Sequence, residues 1–388
     1  MRSAVLHIGS EKTGTTAIQA MLASRRDDLA RLGFWYPSAP GEYSHTALAI
    51  YAAPEYAADL VEQLPTGDFS EAEFARSLAR EMAVIPSHVR TVIFSNEHCQ
   101  SRLITIAHVA KLHALLSPYF DTITVLVYLR RQDETASSLY STRLRGGDLV
   151  LDVLSSINLG ELFWASYFNY KQMLDRYVHV FGETFVKPRI YEPGALLEGD
   201  AVHDFLGICG LPLWLAEETA MVNRAIPADG QKFLSALNAW HAEPGHNRDR
   251  DLVKTMRDAC ALIAETRLQG GPMRPARGDA RHFYEKFQET NERVREKWFP
   301  DRARLFQEDF SQYPEFTDDT TNTHEVALRA AFIIIEELVR QNGEIVARER
   351  AQRRAFEGSV SWRLTAPLRT VRLAMRRLRA GDKPEYPA

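Results

Sequence analysis

The chain has 388 residues, of which 45% are hydrophobic and 25% charged, and this composition is typical of a globular protein. Its 21 glycines and 18 prolines exclude collagen-like and low-complexity classes. The formal net charge of −4 argues against a general nucleic-acid binder. The three cysteines are far apart and form no Cys-x-x-Cys pair, which argues against a disulfide scaffold or a structural zinc site.

The sequence contains no uncharged apolar run of about 18 residues, so it predicts no membrane-spanning helix. The first apolar run, Ala4–Ile8, is shorter than the roughly 7–15 apolar residues of a secretion signal. We therefore expect a cytoplasmic protein with reduced thiols.

Strands alternate with helices in the first half of the chain. The pattern predicts a strand at Ala4–Ile8, a glycine loop at Gly9–Gly14 and a helix at Thr15–Leu32. Further strands are predicted at Thr91–Ser95, Thr122–Leu129 and Phe185–Tyr191, and further helices at Glu71–Val84, Ile106–Leu116, Asp133–Leu144 and Ala201–Cys209. Residues 34–70 are predicted to form loops and short helices. The alternation predicts an α/β fold, a P-loop-like parallel sheet flanked by helices, with a helical C-terminal extension.

We divide the chain into a core at 1–215, a mainly helical region at 216–322 that completes the core or the substrate region, a long helix within 323–358 and a basic tail at 359–388. The long helix, His324–Ala355, could support self-association. Residues 348–388 carry a net charge of +7, which leaves −11 on the rest. Leu364, Leu368 and Val371 begin an apolar stripe in the tail, which predicts a basic amphipathic helix on a membrane surface or docked on protein.

The loop after the first strand reads Gly9-Ser10-Glu11-Lys12-Thr13-Gly14-Thr15-Thr16. A strand, a glycine-rich turn and a helix N-terminus together form an anion cradle, because backbone N–H groups and the helix dipole favour negative charge. Lys12 adds a full positive charge, and Thr13, Thr15 and Thr16 add hydroxyl groups. We expect Glu11 to be a solvated carboxylate.

The spacing of Gly9 and Gly14 matches the P-loop of nucleotide triphosphatases, but the lysine precedes the second glycine instead of following it. The strands at Thr91–Ser95 and Thr122–Leu129 also end without the aspartate that holds magnesium in those enzymes. The loop therefore favours an anion that needs no metal.

Arg130 follows the strongest predicted strand, and Ser138 lies eight residues later. Ligands of parallel α/β sheets bind at the carboxyl ends of strands, where Arg130 could grip a phosphate with two N–H groups. A helix that starts near Asp133 would place Ser138 on the same side. Alternatively, Arg130 and Arg131 pair with Asp133 or Glu134 as surface charges.

Lys12-Thr13-Gly14-Thr15-Thr16 after a strand, followed by Arg130 and Ser138, resembles the sulfotransferases that use 3′-phosphoadenosine 5′-phosphosulfate (PAPS), and is most similar to bacterial polysaccharide types. The resemblance covers residues 1–215. It implies that the loop binds the 5′-phosphosulfate, that Arg130 and Ser138 bind the 3′-phosphate, and that no metal is required. A further 3′-phosphate contact is not identified, and Asn223-Arg224 is a candidate.

In such a reaction, Lys12 and the amides of 13–16 would stabilise the charge on the leaving group. The acceptor hydroxyl needs a base. Glu97 follows the second predicted strand, which lies next to the glycine loop in the expected sheet order. This segment resembles that of polysaccharide-type sulfotransferases, in which a glutamate is the base. His98 is the alternative, since cytosolic members use a histidine, and His45 is a third candidate that could touch substrate.

The sequence thus predicts a PAPS-dependent sulfotransferase that acts on a saccharide. We expect it to bind no nucleic acid and to require no metal. The tail, with its Trp362-Arg363-Leu364 start, is similar to tails of bacterial glycan-building enzymes and would hold the protein at the inner face of the membrane. A P-loop kinase or NTPase, and a non-catalytic nucleotide-binding scaffold, are the alternatives.

Overall fold

The computed structural model describes residues 2–316 except 63, 65–66, 151, 156, 218–225, 243–249 and 269, and beyond these only positions 331, 338, 340, 341 and 348. Those five positions are helical and belong to the predicted helix His324–Ala355, whose other residues lie outside the described ones, as do the tail 359–388 and the candidate Asn223-Arg224.

The centre of the fold is a parallel sheet of five strands. They are β1 (Ser3–His7), β2 (Phe34–Trp35), β3 (Thr91–Ser95), β4 (Thr122–Leu129) and β5 (Val186–Ile190), in the order β2-β3-β1-β4-β5. On the central strand, His7 lies opposite Ser95 of β3 and Leu126 of β4. The predicted parallel α/β class and its four strands are confirmed. The prediction of only loops and helices over 34–70 is wrong at Phe34–Trp35, because a two-residue strand is too short to show a periodic pattern.

Helices surround the sheet on both faces. They are α1 (Thr15–Ser24), α2 (Arg26–Arg31), α3 (Thr46–Ala52), α4 (Ala58–Glu62), α5 (Glu71–Val84), α6 (His98–Arg102), α7 (Ile106–Leu116), α8 (Gln132–Gly146), α9 (Leu162–Phe168), α10 (Tyr170–Phe181), α11 (Ala201–Cys209), α12 (Ala228–Ala242), α13 (Arg250–Arg267), α14 (Arg277–Glu285) and α15 (Gln288–Trp298). The predicted helix Thr15–Leu32 is interrupted at Arg25, whose φ of −110° and ψ of 20° are not helical. None of the helices in the described ranges is long and apolar enough to cross a membrane.

The strands read as continuous apolar runs because both faces of the sheet are covered. Val125, Val127 and Leu129 of β4 point to one core, which α7 and α10 cover, while Leu126 and Tyr128 point to a second core under α1 and α11. This arrangement leaves the carboxyl ends of β1, β3 and β4 side by side at one edge.

Residues far along the chain complete the first core. Tyr284, Phe306 and Tyr313 belong to the same buried cluster as Leu6 of the central strand. Residues between 280 and 313 therefore contribute to the core that also buries the central strand. The helices α12 and α13 contact each other and α8, around a separate cluster that includes Tyr140 and Leu144.

Candidate functional site

The loop between β1 and α1 lies at the centre of the sheet edge and is tied to β4. Ser10 donates from its hydroxyl to the Tyr128 carbonyl at 2.7 Å, and the Tyr128 N–H donates to the Gly9 carbonyl at 2.7 Å. Thr13 donates its hydroxyl to the Ser10 carbonyl at 2.6 Å, which closes the turn. Gly14, with a φ of 79°, is the N-cap of α1. These bonds fix the loop to the end of β4 and close its turn.

The backbone N–H groups of residues 11–16 donate no hydrogen bond to any described residue. They include the first amides of α1, which no preceding carbonyl of the helix can accept. Six successive donors at the positive end of a helix are an arrangement that favours anions, and we refer to them as the candidate anion cradle.

Lys12 belongs to this loop and reaches toward α8. Its Nζ donates to the Thr142 hydroxyl at 2.9 Å. Burial lowers the pKa of Lys12 from its ordinary value; the charges of Glu11 and Glu97 oppose this shift, and those of Arg145 and Arg130 add to it. The ammonium group of Lys12 therefore lies among two carboxylates and two guanidinium groups.

Arg130 lies against the loop, as its position after β4 predicts. It donates to the Lys12 carbonyl at 2.9 Å and to Glu134 at 3.1 Å, and its guanidinium lies 5.5 Å from the centre of the Tyr191 ring. The alternative expectation of pairing with Glu134 therefore also holds for this arginine. Its side chain is 25% exposed, so it can still reach a ligand.

Ser138 is half-buried on α8, one turn before Thr142. Residues four apart lie on the same helix face, so the Ser138 hydroxyl lies on the face whose Thr142 meets Lys12. The structure thus brings one face of α8 to the loop.

Arg131 is not a surface charge. It is 3% exposed, binds Asp133 at 2.8 Å and donates to the carbonyls of Gln307 and Asp309 at 2.5 and 2.8 Å. It anchors the late segment of the chain beside the site, and the expectation of a surface pair is wrong for this residue.

Glu97 lies directly against the glycine loop. A Cβ built on Gly9 would lie 2.7 Å from the Glu97 Cα, so only glycine allows this approach. The Glu97 carboxylate accepts a hydrogen bond from Gln19 of α1 at 2.7 Å. The cradle and this carboxylate therefore share one site.

We expect Gly9→Ala to lower the midpoint of thermal unfolding clearly. The φ of Gly9 is +92°, and the added methyl group would collide with Glu97. The backbone strain of a non-glycine residue at this φ alone lowers the free energy of unfolding by about 1–3 kcal/mol. Gly67→Ala is the matched control, since its φ is +63° but no described atom lies within 4 Å of the added Cβ. Equal losses in the two variants would contradict the close packing of Gly9 on Glu97.

His98 and Glu11 form an ion pair that links α6 to the loop. The His98 Nδ1 lies 3.5 Å from a Glu11 oxygen, and the Glu11 side chain is only 18% exposed. Burial alone would raise the pKa of Glu11, but the hydrogen bond and charge of His98, with the hydrogen bond of Ser101 and the charge of Arg102, outweigh it and lower the pKa to about 2. Burial likewise disfavours a charged His98, yet the hydrogen bond and charge of Glu11, with the charge of Glu97, outweigh it and raise the His98 pKa. The expectation of a solvated Glu11 is wrong, because His98 lies within its reach.

We expect the Glu11–His98 pair to stabilise the fold most between pH 5 and 6, in line with these shifts. The carboxylate contribution falls as the pH drops from 4.5 to about 2, because Glu11 becomes protonated first in the unfolded chain. The histidine contribution falls as the pH rises above 6.5 and through the raised pKa of His98. The unfolding midpoints of the wild type and of Glu11→Gln are compared from below pH 4.5 to above pH 6.5. A difference between the two midpoints that stays constant over this whole range would contradict the prediction.

His45 is buried, with 0% exposure, and cannot touch a substrate. Its Nε2 donates to the Pro37 carbonyl at 2.8 Å, while its Nδ1 accepts from the Ser95 N–H at 3.2 Å. Burial lowers the pKa of His45 to about 3. Both nitrogens are occupied, so the expectations that it contacts substrate or acts as the base are wrong. It fixes the segment after β2 to the end of β3.

Sequence reasoning missed four side chains at this site. Gln19 binds Glu97, Thr142 binds Lys12, Tyr191 lies beside Gly14 and Arg130, and Tyr43 donates to the Thr16 carbonyl at 2.8 Å. Of these four, only Gln19 could have been noticed in the sequence, because it is a polar residue next to Ile18 of the apolar helix stripe.

Comparisons with known proteins give one distant structural similarity. No protein-family model matches the chain, and no curated protein matches it. Among the residues that the structure describes, no group of three or more His, Cys, Asp or Glu side chains could hold a metal ion. The chain is similar to the crystal structure of a sulfotransferase from Alicyclobacillus acidocaldarius, with 16% sequence identity, coverage of 66% of this chain and 99% of that chain, and a TM-score of 0.40.

Proposed function

We propose that this chain is a sulfotransferase that moves the sulfuryl group of PAPS to a hydroxyl or amine of a saccharide in a bacterial surface glycan or glycolipid. The observation that carries the proposal is the loop at residues 9–16. Six of its amides have no partner in the described chain, its lysine precedes the second glycine, and Arg130 binds its backbone.

The residues at the loop fit a donor with two anionic ends. Lys12 and the amides of 13–16 would hold the phosphosulfate, and Arg130 and Ser138 would hold the 3′-phosphate. When bound, PAPS supplies an activated sulfuryl group on a phosphate leaving group. Donors fixed in advance stabilise the charge on that leaving group without reorganising, which is the largest expected contribution to the rate.

Glu97 is the base that this geometry supports best. It packs against Gly9 of the cradle, and one carboxylate oxygen has no hydrogen-bond partner among the described residues. That oxygen can take the proton from an acceptor hydroxyl. His98 supports this role less well, because its pairing with Glu11 raises its pKa and favours the charged ring, in which both nitrogens already carry a proton.

Tyr43 offers a surface for the acceptor. Its side chain is 38% exposed, and burial together with the nearby charge of Glu97 raises its pKa. A partly exposed aromatic ring beside the base presents an apolar face and a polar tip, which suits a sugar ring with its hydroxyl groups.

The test compares ligands by thermal shift and then measures transfer. We expect 3′-phosphoadenosine 5′-phosphate, the product of PAPS, to raise the unfolding midpoint more than ATP with magnesium does, because ligands stabilise the folded state that binds them. Transfer of labelled sulfate from PAPS to a panel of bacterial glycans should follow. Stronger stabilisation by ATP with magnesium would overturn the proposal in favour of a P-loop kinase or NTPase. Binding of the product without any transfer would favour a non-catalytic module.

A further inference from the structure

Gln19 of α1 is a buried amide that reaches the candidate base. Its side chain is 2% exposed, and its Nε2 lies 2.7 Å from Glu97 Oε2 and 3.5 Å from the Ser95 carbonyl. We propose that Gln19 is a positioning residue that sets the orientation of Glu97 for proton transfer, an inference that rests on the proposed function.

The direction of this amide follows from its partners. A carboxylate and a carbonyl oxygen both accept hydrogen bonds, so the NH₂ group of Gln19 must point toward them. The bond occupies Glu97 Oε2 and leaves Oε1 without a partner among the residues described. Gln19 thereby selects which carboxylate oxygen is open to an acceptor hydroxyl.

The apolar surroundings of Gln19 indicate that its amide needs a hydrogen-bond partner. Its neighbours Ile18, Met21 and Leu22 are fully buried in the second core. A polar group in such surroundings costs free energy unless it is hydrogen-bonded. The contact with Ser95 is long at 3.5 Å, so the short bond to Glu97 is the one that satisfies the amide.

The same helix also carries the end of the anion cradle. Thr15 and Thr16 begin α1, and Gln19 lies one turn further on. One rigid element thus holds both the group to be transferred and the base, and fixes the distance between them. Catalysis is sensitive to such placement, since a displacement of about 1 Å can cost about 10²-fold in rate.

The experiment replaces the amide by an apolar chain of similar length. We expect Gln19→Met to lower kcat about 10- to 100-fold, with the KM for PAPS and the thermal shift by 3′-phosphoadenosine 5′-phosphate nearly unchanged. In a Glu97→Gln background the same replacement should cost nothing further, because no base remains to be positioned. Gln231→Met is the matched control, since Gln231 is also buried but bonds Ser141 and the Met273 N–H. It should lower stability and leave kcat unchanged.

Two results would overturn the inference: an unchanged kcat in Gln19→Met, or an equal loss in the presence and absence of Glu97. If Gln19→Met does not fold, Gln19→Asn keeps the amide on a shorter side chain and should show the same pattern. A wild-type protein that binds the product but transfers no sulfate would instead count against the proposed function, whatever Gln19 does.

Discussion

Lys12→Ala should lower kcat for sulfuryl transfer by about 10²- to 10³-fold, the loss typical of one preorganised donor at a developing anion. Lys12 is the one full positive charge within the glycine loop, and Thr142 holds its ammonium at 2.9 Å. Thr142 remains when the side chain is shortened, but a neutral hydroxyl cannot replace the charge. Steady-state kinetics with labelled PAPS measure the change.

Lys254→Ala is the matched control for Lys12→Ala, because Lys254 is an exposed lysine on α13. It should keep full turnover. Lys12→Arg should recover only part of the lost rate, because a guanidinium keeps the charge but not the compact geometry of an ammonium. Full turnover in Lys12→Ala would show that the loop does not stabilise the leaving group.

Glu97→Gln should lower kcat by about 10²- to 10⁴-fold, the contribution of a general base, and leave binding of 3′-phosphoadenosine 5′-phosphate intact. The amide keeps the shape of the carboxylate and can still bond to Gln19, so the loop and Gly9 stay in place. Its nitrogen and oxygen cannot accept a proton at neutral pH. Turnover and product binding are measured on the same preparation.

Glu285→Gln serves as the control for Glu97→Gln, since Glu285 is an exposed carboxylate at the end of α14. Its turnover should equal that of the wild type. If Glu97→Gln kept full turnover, His98→Asn would become the decisive variant, and a loss there would move the base to the histidine.

Local patterns predicted the parts of the site that lie close together in sequence. A strand, a glycine turn and a helix follow one another over Ser3–Ser24, and the structure has them in that order. The nearness of Glu97 and Arg130 to the loop followed from a general rule, because parallel strands bring their carboxyl ends to one edge. Both β3 and β4 do pair with β1.

The sequence could not predict contacts that depend on long-range packing. Gln19 and Glu97 are 78 residues apart, and Arg131 meets a carbonyl 176 residues later. The periodicity of a sequence predicts a single helix or strand, but it does not predict how close two such elements lie in the fold. His45 shows the same limit, since its burial depends on how the segment after β2 folds onto Ser95.

The anchoring of Arg131 has a consequence for how the protein is made. The two carbonyls that accept its hydrogen bonds belong to Gln307 and Asp309, and Tyr313 donates to its partner Asp133 at 2.6 Å. A nascent chain that has left the ribosome only as far as residue 215 carries this charged pair without its cover. The edge of the candidate site next to Arg130 is therefore completed late in synthesis, and a fragment ending at 215 would expose to solvent a charged pair that the intact chain buries.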